Sequence, residues 1–144
     1  MSKRILLVDD EPAIQLTLKA ILEMNGFHVV TAASAAEAKI RLEADTYHLV
    51  ITDLKMEKEA SGFDVARFAK ARQNPPAVAI LTAYPFLGSE WKEKGVDRLF
   101  IKPANMPELL EGIEALLGPQ QTAARRDKKT SIAKGVQLPE ATAT

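Results

Sequence analysis

The sequence predicts an α/β domain: a five-stranded parallel sheet with helices on both of its faces. Three observations carry this. Five short runs rich in aliphatic residues are spaced along the chain, at 4–8, 27–31, 49–53, 77–81 and 98–101. The clearest of them do not alternate with polar residues, as strands buried on both faces do not. Between and after the runs lie segments with apolar residues at helical spacing, in strict alternation with the strands. That alternation implies a parallel sheet with right-handed crossovers.

The elements follow in order. The run RILLV at 4–8 is a first strand, and Asp9, Asp10 and Glu11 come directly after it. Pro12 begins a helix where its missing N–H is not needed. Ile14, Leu18, Ile21 and Leu22 line one side of that helix, and Asn25-Gly26 stops it. FHVVT at 27–31 is the second strand. Ser34 and Glu37 form a capping box for a helix reaching about Ala44. Leu49, Val50, Ile51 and Thr52 make a third strand ending in Asp53. A polar loop at 55–61 leads through Gly62 to a helix with Phe63, Ala66 and Ala69 on one side, broken by Asn74-Pro75-Pro76. AVAIL at 77–81 is the fourth strand, ending at Thr82. A short helix over 87–94 is closed by Gly95. The fifth strand, 98–101, ends at Lys102-Pro103. Asn105 caps the last helix with Glu108 three residues on. Leu109, Ile113 and Leu116 line its buried side, Leu110 and Leu117 lie beside them, and Gly118-Pro119 ends it.

Composition bounds the function. The 144 residues suit one domain, with 47% hydrophobic and 26% charged residues. The absence of cysteine rules out disulfides, thiolate nucleophiles and cysteine-based zinc sites. No apolar run approaches the roughly 18 residues of a membrane span. The acids at 9–11 interrupt the first apolar run too early for a signal peptide, so a cytoplasmic location is expected. Residues 1–118 carry 14 Lys/Arg and 17 Asp/Glu, a net −3; residues 119–144 carry 5 and 2, a net +3. Neither balance points to nucleic acid as a partner of the folded part. Residues 1–118 are read as the domain and 119–144 as a flexible basic tail without a sustained apolar period. The tail is too short and unpatterned for a helix-turn-helix output module.

The chemistry gathers at the strand ends. In a parallel sheet the C-terminal ends share one edge, where ligands bind. This edge receives Asp9 and Asp10, Asp53, Thr82 and Lys102. Each has an ordinary role open to it alone. Asp10 or Glu11 favours a helix N-terminus, Thr82 a turn, Lys102 solvent, and Asp53 the loop that follows it. Together they form three carboxylates, a hydroxyl and an ammonium. Close carboxylates raise one another's pKa unless cations join them. A hard divalent ion suits such oxygen ligands, Mg²⁺ in particular, because it keeps open water positions. A carboxylate beside a metal can attack phosphorus and form an acyl phosphate.

At this point the sequence resembles the receiver domain of two-component response regulators, single-domain and CheY-like. The resemblance rests on VDDEP at 8–12, ITDLKM at 51–56, LTAY at 81–84 and IKPAN at 101–105, four motifs in order. It covers roughly residues 3–118. It implies a flavodoxin-like sheet of order 2-1-3-4-5. It implies that Asp53 accepts a phosphoryl group from a histidine kinase or a phosphotransfer protein. Asp10, with Asp9 beside it, would hold Mg²⁺ together with Asp53 and the backbone carbonyl of Lys55. Lys102 would pair with the phosphoryl oxygens, Thr82 would bond to them after transfer, and the Ala83 N–H would help cradle them. Lys102-Pro103 would be a cis peptide. The responding surface would be 87–117, read by an output protein or used in a phosphorylation-linked homodimer.

Three departures are visible. Leu99 stands where the family usually carries an aromatic switch residue, and neighbouring Phe100 points to the opposite face. Glu57 replaces a usual proline, and Gly62 lies nine residues after Asp53 instead of eight. Residues 119–144 are not expected to form a DNA-binding output domain. Two other functions therefore stay open: a binding module of the same fold whose output does not depend on phosphorylation, and a phosphohydrolase. The hydrolases usually place a second acid two residues after the nucleophile, where Lys55 stands here. No GxxxxGK[ST] or GxGxxG loop is present, against nucleotide-using enzymes. The leading expectation is a non-enzymatic switch whose only catalysis is its own phosphoryl transfer and autodephosphorylation.

Overall fold

The computed structural model describes residues 3–54, 56, 61–83, 90–102 and 106–118. Expectations for Lys55, the 57–60 loop, the start of the helix expected at 87, the Lys102-Pro103 peptide, the Asn105 cap and the 119–144 tail lie outside the described residues.

Among the described residues, five strands and five helices alternate: β1 (Arg4–Val8), α1 (Pro12–Met24), β2 (His28–Ala32), α2 (Ala35–Ala44), β3 (Leu49–Asp53), α3 (Ser61–Lys70), β4 (Ala77–Thr82), α4 (Glu90–Glu93), β5 (Arg98–Ile101) and α5 (Met106–Leu117). The strands form one sheet of order β2-β1-β3-β4-β5. Every pairing is parallel. The parallel sheet is as the strand–helix alternation predicts, and the flavodoxin-like strand order is as the resemblance implies. Boundaries move by a residue. β2 begins at His28, because Phe27 is still in the turn that closes α1, its N–H bonded to the carbonyl of Leu22. Within that turn Gly26 takes a φ of 94°, which L side chains rarely adopt.

Strand alternation sorts the core into two layers. Leu6, Val8, Val50, Val78 and Ile80 pack with Ala38 and Leu42 of α2 and with Val65, Ala66 and Ala69 of α3. Ile5, Leu7, Leu49, Ile51, Ala79 and Leu81 pack with Leu18 and Leu22 of α1 and with Leu109 and Ile113 of α5. Leu99 joins the first layer and Phe100 the second, so these neighbours do face opposite ways. Leu116, expected on the buried side of α5, is only partly buried at the margin of its layer, and Phe63 of α3 is likewise only partly buried. Among the described residues no helix is long and apolar enough to cross a membrane.

The helix starts fix where the strand ends open. Ser34 accepts the N–H of Glu37 at 3.0 Å as the box requires, while Glu37 Oε1 accepts the N–H of Ala33, one residue before the cap, at 2.8 Å, a shifted form of the capping box. At the opposite edge of the sheet, Asp97 Oδ2 accepts from Lys70 Nζ at 2.7 Å and from the Val78 N–H at 2.8 Å, joining α3, β4 and the approach to β5.

Candidate functional site

The site lies at the C-terminal ends of β1, β3, β4 and β5, beyond the last ladder bonds. β1 delivers Asp9 almost fully buried and Asp10 exposed. Asp9 Oδ1 accepts the Glu11 N–H at 2.9 Å, a local turn that leads into α1 without a side-chain cap from Glu11 itself. β3 delivers Asp53, whose Oδ1 accepts the Leu54 N–H at 2.9 Å. Beneath it, Thr52 Oγ1 donates to the Asp53 carbonyl at 2.8 Å.

The register carries the other two strands to the same place. Asp53 pairs with Leu81, one residue before Thr82, and Thr82 pairs with Ile101, one residue before Lys102. The Lys102 N–H donates to the Thr82 carbonyl at 2.7 Å, which fixes the direction in which the lysine leaves β5. Its Nζ lies 3.4 Å from Asp9 Oδ2, 3.5 Å from Asp53 Oδ2 and 4.0 Å from Glu11 Oε1. Thr82 is buried and Ala83 exposed just past it.

Burial pushes the Asp53 carboxyl above the usual carboxylate range. Lys102 opposes that push, Asp9 adds to it, and the Leu54 N–H and the Lys102 hydrogen bond oppose it further. One cation thus offsets only part of the crowding.

The donor set fits a hard divalent ion. Asp9, Asp10 and Asp53 each present a carboxylate oxygen, and these oxygens all lie within 4.8 Å of one another. All donors are oxygens, and the exposed Asp10 leaves one side open to water. The predicted Asp9, Asp10, Asp53, Thr82 and Lys102 are thus gathered at one edge, with Ala83 at its rim; Lys55 lies outside the described residues.

Two participants were not predicted. Gln15, in the first turns of α1, donates from one amide nitrogen to the carbonyls of Asp9 at 2.6 Å and Ala32 at 2.8 Å. Gly62 starts α3 directly against the end of β3: its N–H donates to the Leu54 carbonyl at 2.8 Å. A Cβ there would stand 2.5 Å from the Asp53 carbonyl oxygen and 2.8 Å from Leu54 Cα. The Gly62 spacing is visible in the sequence, but the contact it permits is not. Gln15 has no periodic signature.

The comparisons agree with this geometry. The family model of the response regulator receiver domain matches residues 5–114. The chain belongs to the response regulator receiver family, a class of signalling module in two-component systems. The alginate biosynthesis transcriptional regulatory protein AlgB of Pseudomonas putida is 32% identical over 124 residues, 85% of this chain and 28% of that protein. The gliding motility regulatory protein of Myxococcus xanthus is 32% identical over 94 residues, 65% of this chain and 12% of that protein. This chain therefore spans less than a third of these curated relatives. The response regulator TrrA of Thermotoga maritima, solved in complex with Mg(2+)-BeF, is 34% identical with a TM-score of 0.71, covering 80% of this chain and 99% of that one. A receiver domain of a Luxo repressor protein from Vibrio parahaemolyticus gives a TM-score of 0.74 at 22% identity over 94% of this chain and all of that one, a likeness of fold.

Proposed function

We propose that this chain is a phosphorylation-dependent switch or phosphorelay component in which Asp53 accepts a phosphoryl group from a histidine kinase or phosphotransfer protein. The observation that carries the reading is the placement of Asp53 Oδ2 3.5 Å from Lys102 Nζ within a group of three carboxylates. An Asp53 carboxylate oxygen attacks phosphorus, the P–N bond of the donor phosphohistidine breaks, and an acyl phosphate forms. Asp9, Asp10 and Asp53 would hold Mg²⁺, with the Lys55 carbonyl as a further ligand. Bound there, the ion neutralises charge on the phosphoryl oxygens.

The chain's own residues do the rest. Lys102 turns from the carboxylates to the phosphoryl oxygens, which carry more negative charge. The Thr82 hydroxyl and the Ala83 N–H donate to the same oxygens. The domain at 1–118 then presents an altered 87–117 face to an output protein or to a second copy. Such a switch biases two existing states by their different affinity for the modified site. A binding module indifferent to phosphorylation does not account for an acceptor, a cation and a hydroxyl converging on one point.

Incubation with acetyl phosphate and Mg²⁺, followed by intact-mass measurement, tests the reading. Wild type should gain one phosphoryl group and should gain none when chelator replaces Mg²⁺ from the start, and Asp53→Asn should gain none in either case. Equal labelling of the two proteins refutes Asp53 as the acceptor.

A further inference from the structure

We infer that Gln15 is a positioning residue for the metal-binding carboxylates, acting through the main chain of Asp9; this rests on the reading of that site as a Mg²⁺ site. The β1–β2 ladder ends at the pair Val8 and Ala32. One bond continues past it, from the Asp9 N–H to the Ala32 carbonyl at 3.0 Å. A continued ladder would next bring a β2 donor to the Asp9 carbonyl. None arrives, because the chain has turned into α2, with the Ala33 N–H bound to Glu37 Oε1 and Ser34 serving as the helix cap.

Gln15 supplies the missing donor. Its Nε2 lies 2.6 Å from the Asp9 carbonyl and 2.8 Å from that of Ala32, so both amide hydrogens have acceptors and the amide orientation is determined. Asp9 is thereby held on both main-chain sides, by its N–H and by its C=O, against the same residue of β2. Its side chain is 2% exposed and has little freedom of its own, with Oδ1 on the Glu11 N–H and Oδ2 toward Lys102. The direction of the Asp9 carboxylate therefore follows the direction of its peptide. The Asp10 peptide begins at the carbonyl that Gln15 holds, so the same bond sets both carboxylates of the pair. Groups that orient ligands in this way typically change metal affinity about 10- to 100-fold when removed. Acting one step further back, through the main chain, Gln15 belongs at the low end of that range.

The test uses the full chain and Mn²⁺ as the calorimetric probe, with Mg²⁺ for labelling. Gln15→Met keeps length and volume but cannot donate. Gln15→Asn keeps the amide but is one methylene too short to span both carbonyls, and it serves if the first variant folds poorly. Asp97→Ala is the control: it removes the Lys70 and Val78 bonds at the far edge of the sheet. The Gln15 variants should weaken Mn²⁺ binding about tenfold. Their acetyl phosphate labelling should be slow at low Mg²⁺ and approach the wild-type rate when Mg²⁺ saturates. Asp97→Ala should lose stability yet bind Mn²⁺ within about twofold of wild type. Gln15 variants that bind as wild type does, or a control that weakens binding equally, overturn the inference. Wild type that binds no Mn²⁺ overturns the metal reading and the inference with it.

Discussion

Replacing Gly62 by alanine sets two effects of opposite sign against each other. Helix propensity alone favours alanine over glycine by about 1 kcal/mol in a helix interior, and by less in the first turn where Gly62 sits. The added Cβ would stand 2.5 Å from the Asp53 carbonyl oxygen, 2.8 Å from Leu54 Cα and 3.2 Å from the Asp53 carbonyl carbon. All three atoms are main chain, so no side chain can swing away. Either α3 retreats or the end of β3 shifts. Retreat stretches the 2.8 Å bond from the Gly62 N–H to the Leu54 carbonyl, a loss of about 1 kcal/mol. Overpacking against fixed atoms costs about 1–3 kcal/mol. Together these outweigh propensity, and Gly62→Ala should be net destabilised by about 1–3 kcal/mol. For a domain of this size that lowers Tm by about 5–15 °C. Thermal unfolding followed by far-ultraviolet circular dichroism in chelator gives the number. Labelling by acetyl phosphate should also slow, because the displaced carbonyl belongs to Asp53, the proposed acceptor. A Gly62→Ala protein as stable as wild type, or more so, would mean that α3 does not press on β3 as described.

Three further outcomes are expected. Because burial, the largest cause, holds the folded carboxyl of Asp53 above its ordinary range, its contribution to stability is fully present below the unfolded pKa and is lost as pH rises through the raised folded value. Asp53→Asn should therefore be more stable than wild type at pH 7 without divalent ions, with the gap closing as pH falls toward the unfolded value; urea titrations across that range measure it. Lys102→Met removes a positive charge from beside two carboxylates, so Mn²⁺ should bind tighter, by about tenfold, even as phosphoryl labelling slows; calorimetry and labelling read the two effects separately. Gly112→Ala would place a Cβ 2.5 Å from Phe100 Cζ and 3.3 Å from Arg98 Cζ. It should cost about 1–3 kcal/mol, and Phe100→Leu in the same chain should recover much of that in a double-mutant cycle.

Much of the site was legible because its residues sit at strand ends, and strand ends show in the sequence as the point where an aliphatic run meets a polar residue. Asp9, Asp53, Thr82 and Lys102 all mark such points, and parallel topology does the gathering. The layer assignments of Leu99 and Phe100 were legible for a related reason, since a period of two leaves no choice once the strand is fixed. Leu116 was read onto the buried side of the last helix and is only partly buried, because helical spacing gives the direction of a side chain but not how far the layer it meets extends. Gln15 and Gly62 escaped because their roles are contacts with main-chain atoms of other elements. Such contacts depend on how closely two elements approach, and no periodicity encodes that distance.

The charge arrangement explains why one lysine can serve a site with several acids. Asp9 and Asp53 are held alike: the Oδ1 of each accepts a main-chain N–H one or two residues ahead, and each turns Oδ2 toward Lys102. The carboxylates are thus pinned by the chain itself and do not rely on the ammonium for their orientation. Lys102 stands at 3.4 Å from one and 3.5 Å from the other. Tight charge-assisted bonds are shorter, near 2.7–2.9 Å. The ammonium is shared between the two acids and committed to neither. A group in that position can follow new negative charge at Asp53 without first breaking a strong ion pair, and its departure leaves both carboxylates still hydrogen-bonded. Rigid acids around a loosely shared cation are the condition under which a charge added at one residue moves a neighbouring strand end and leaves the sheet intact.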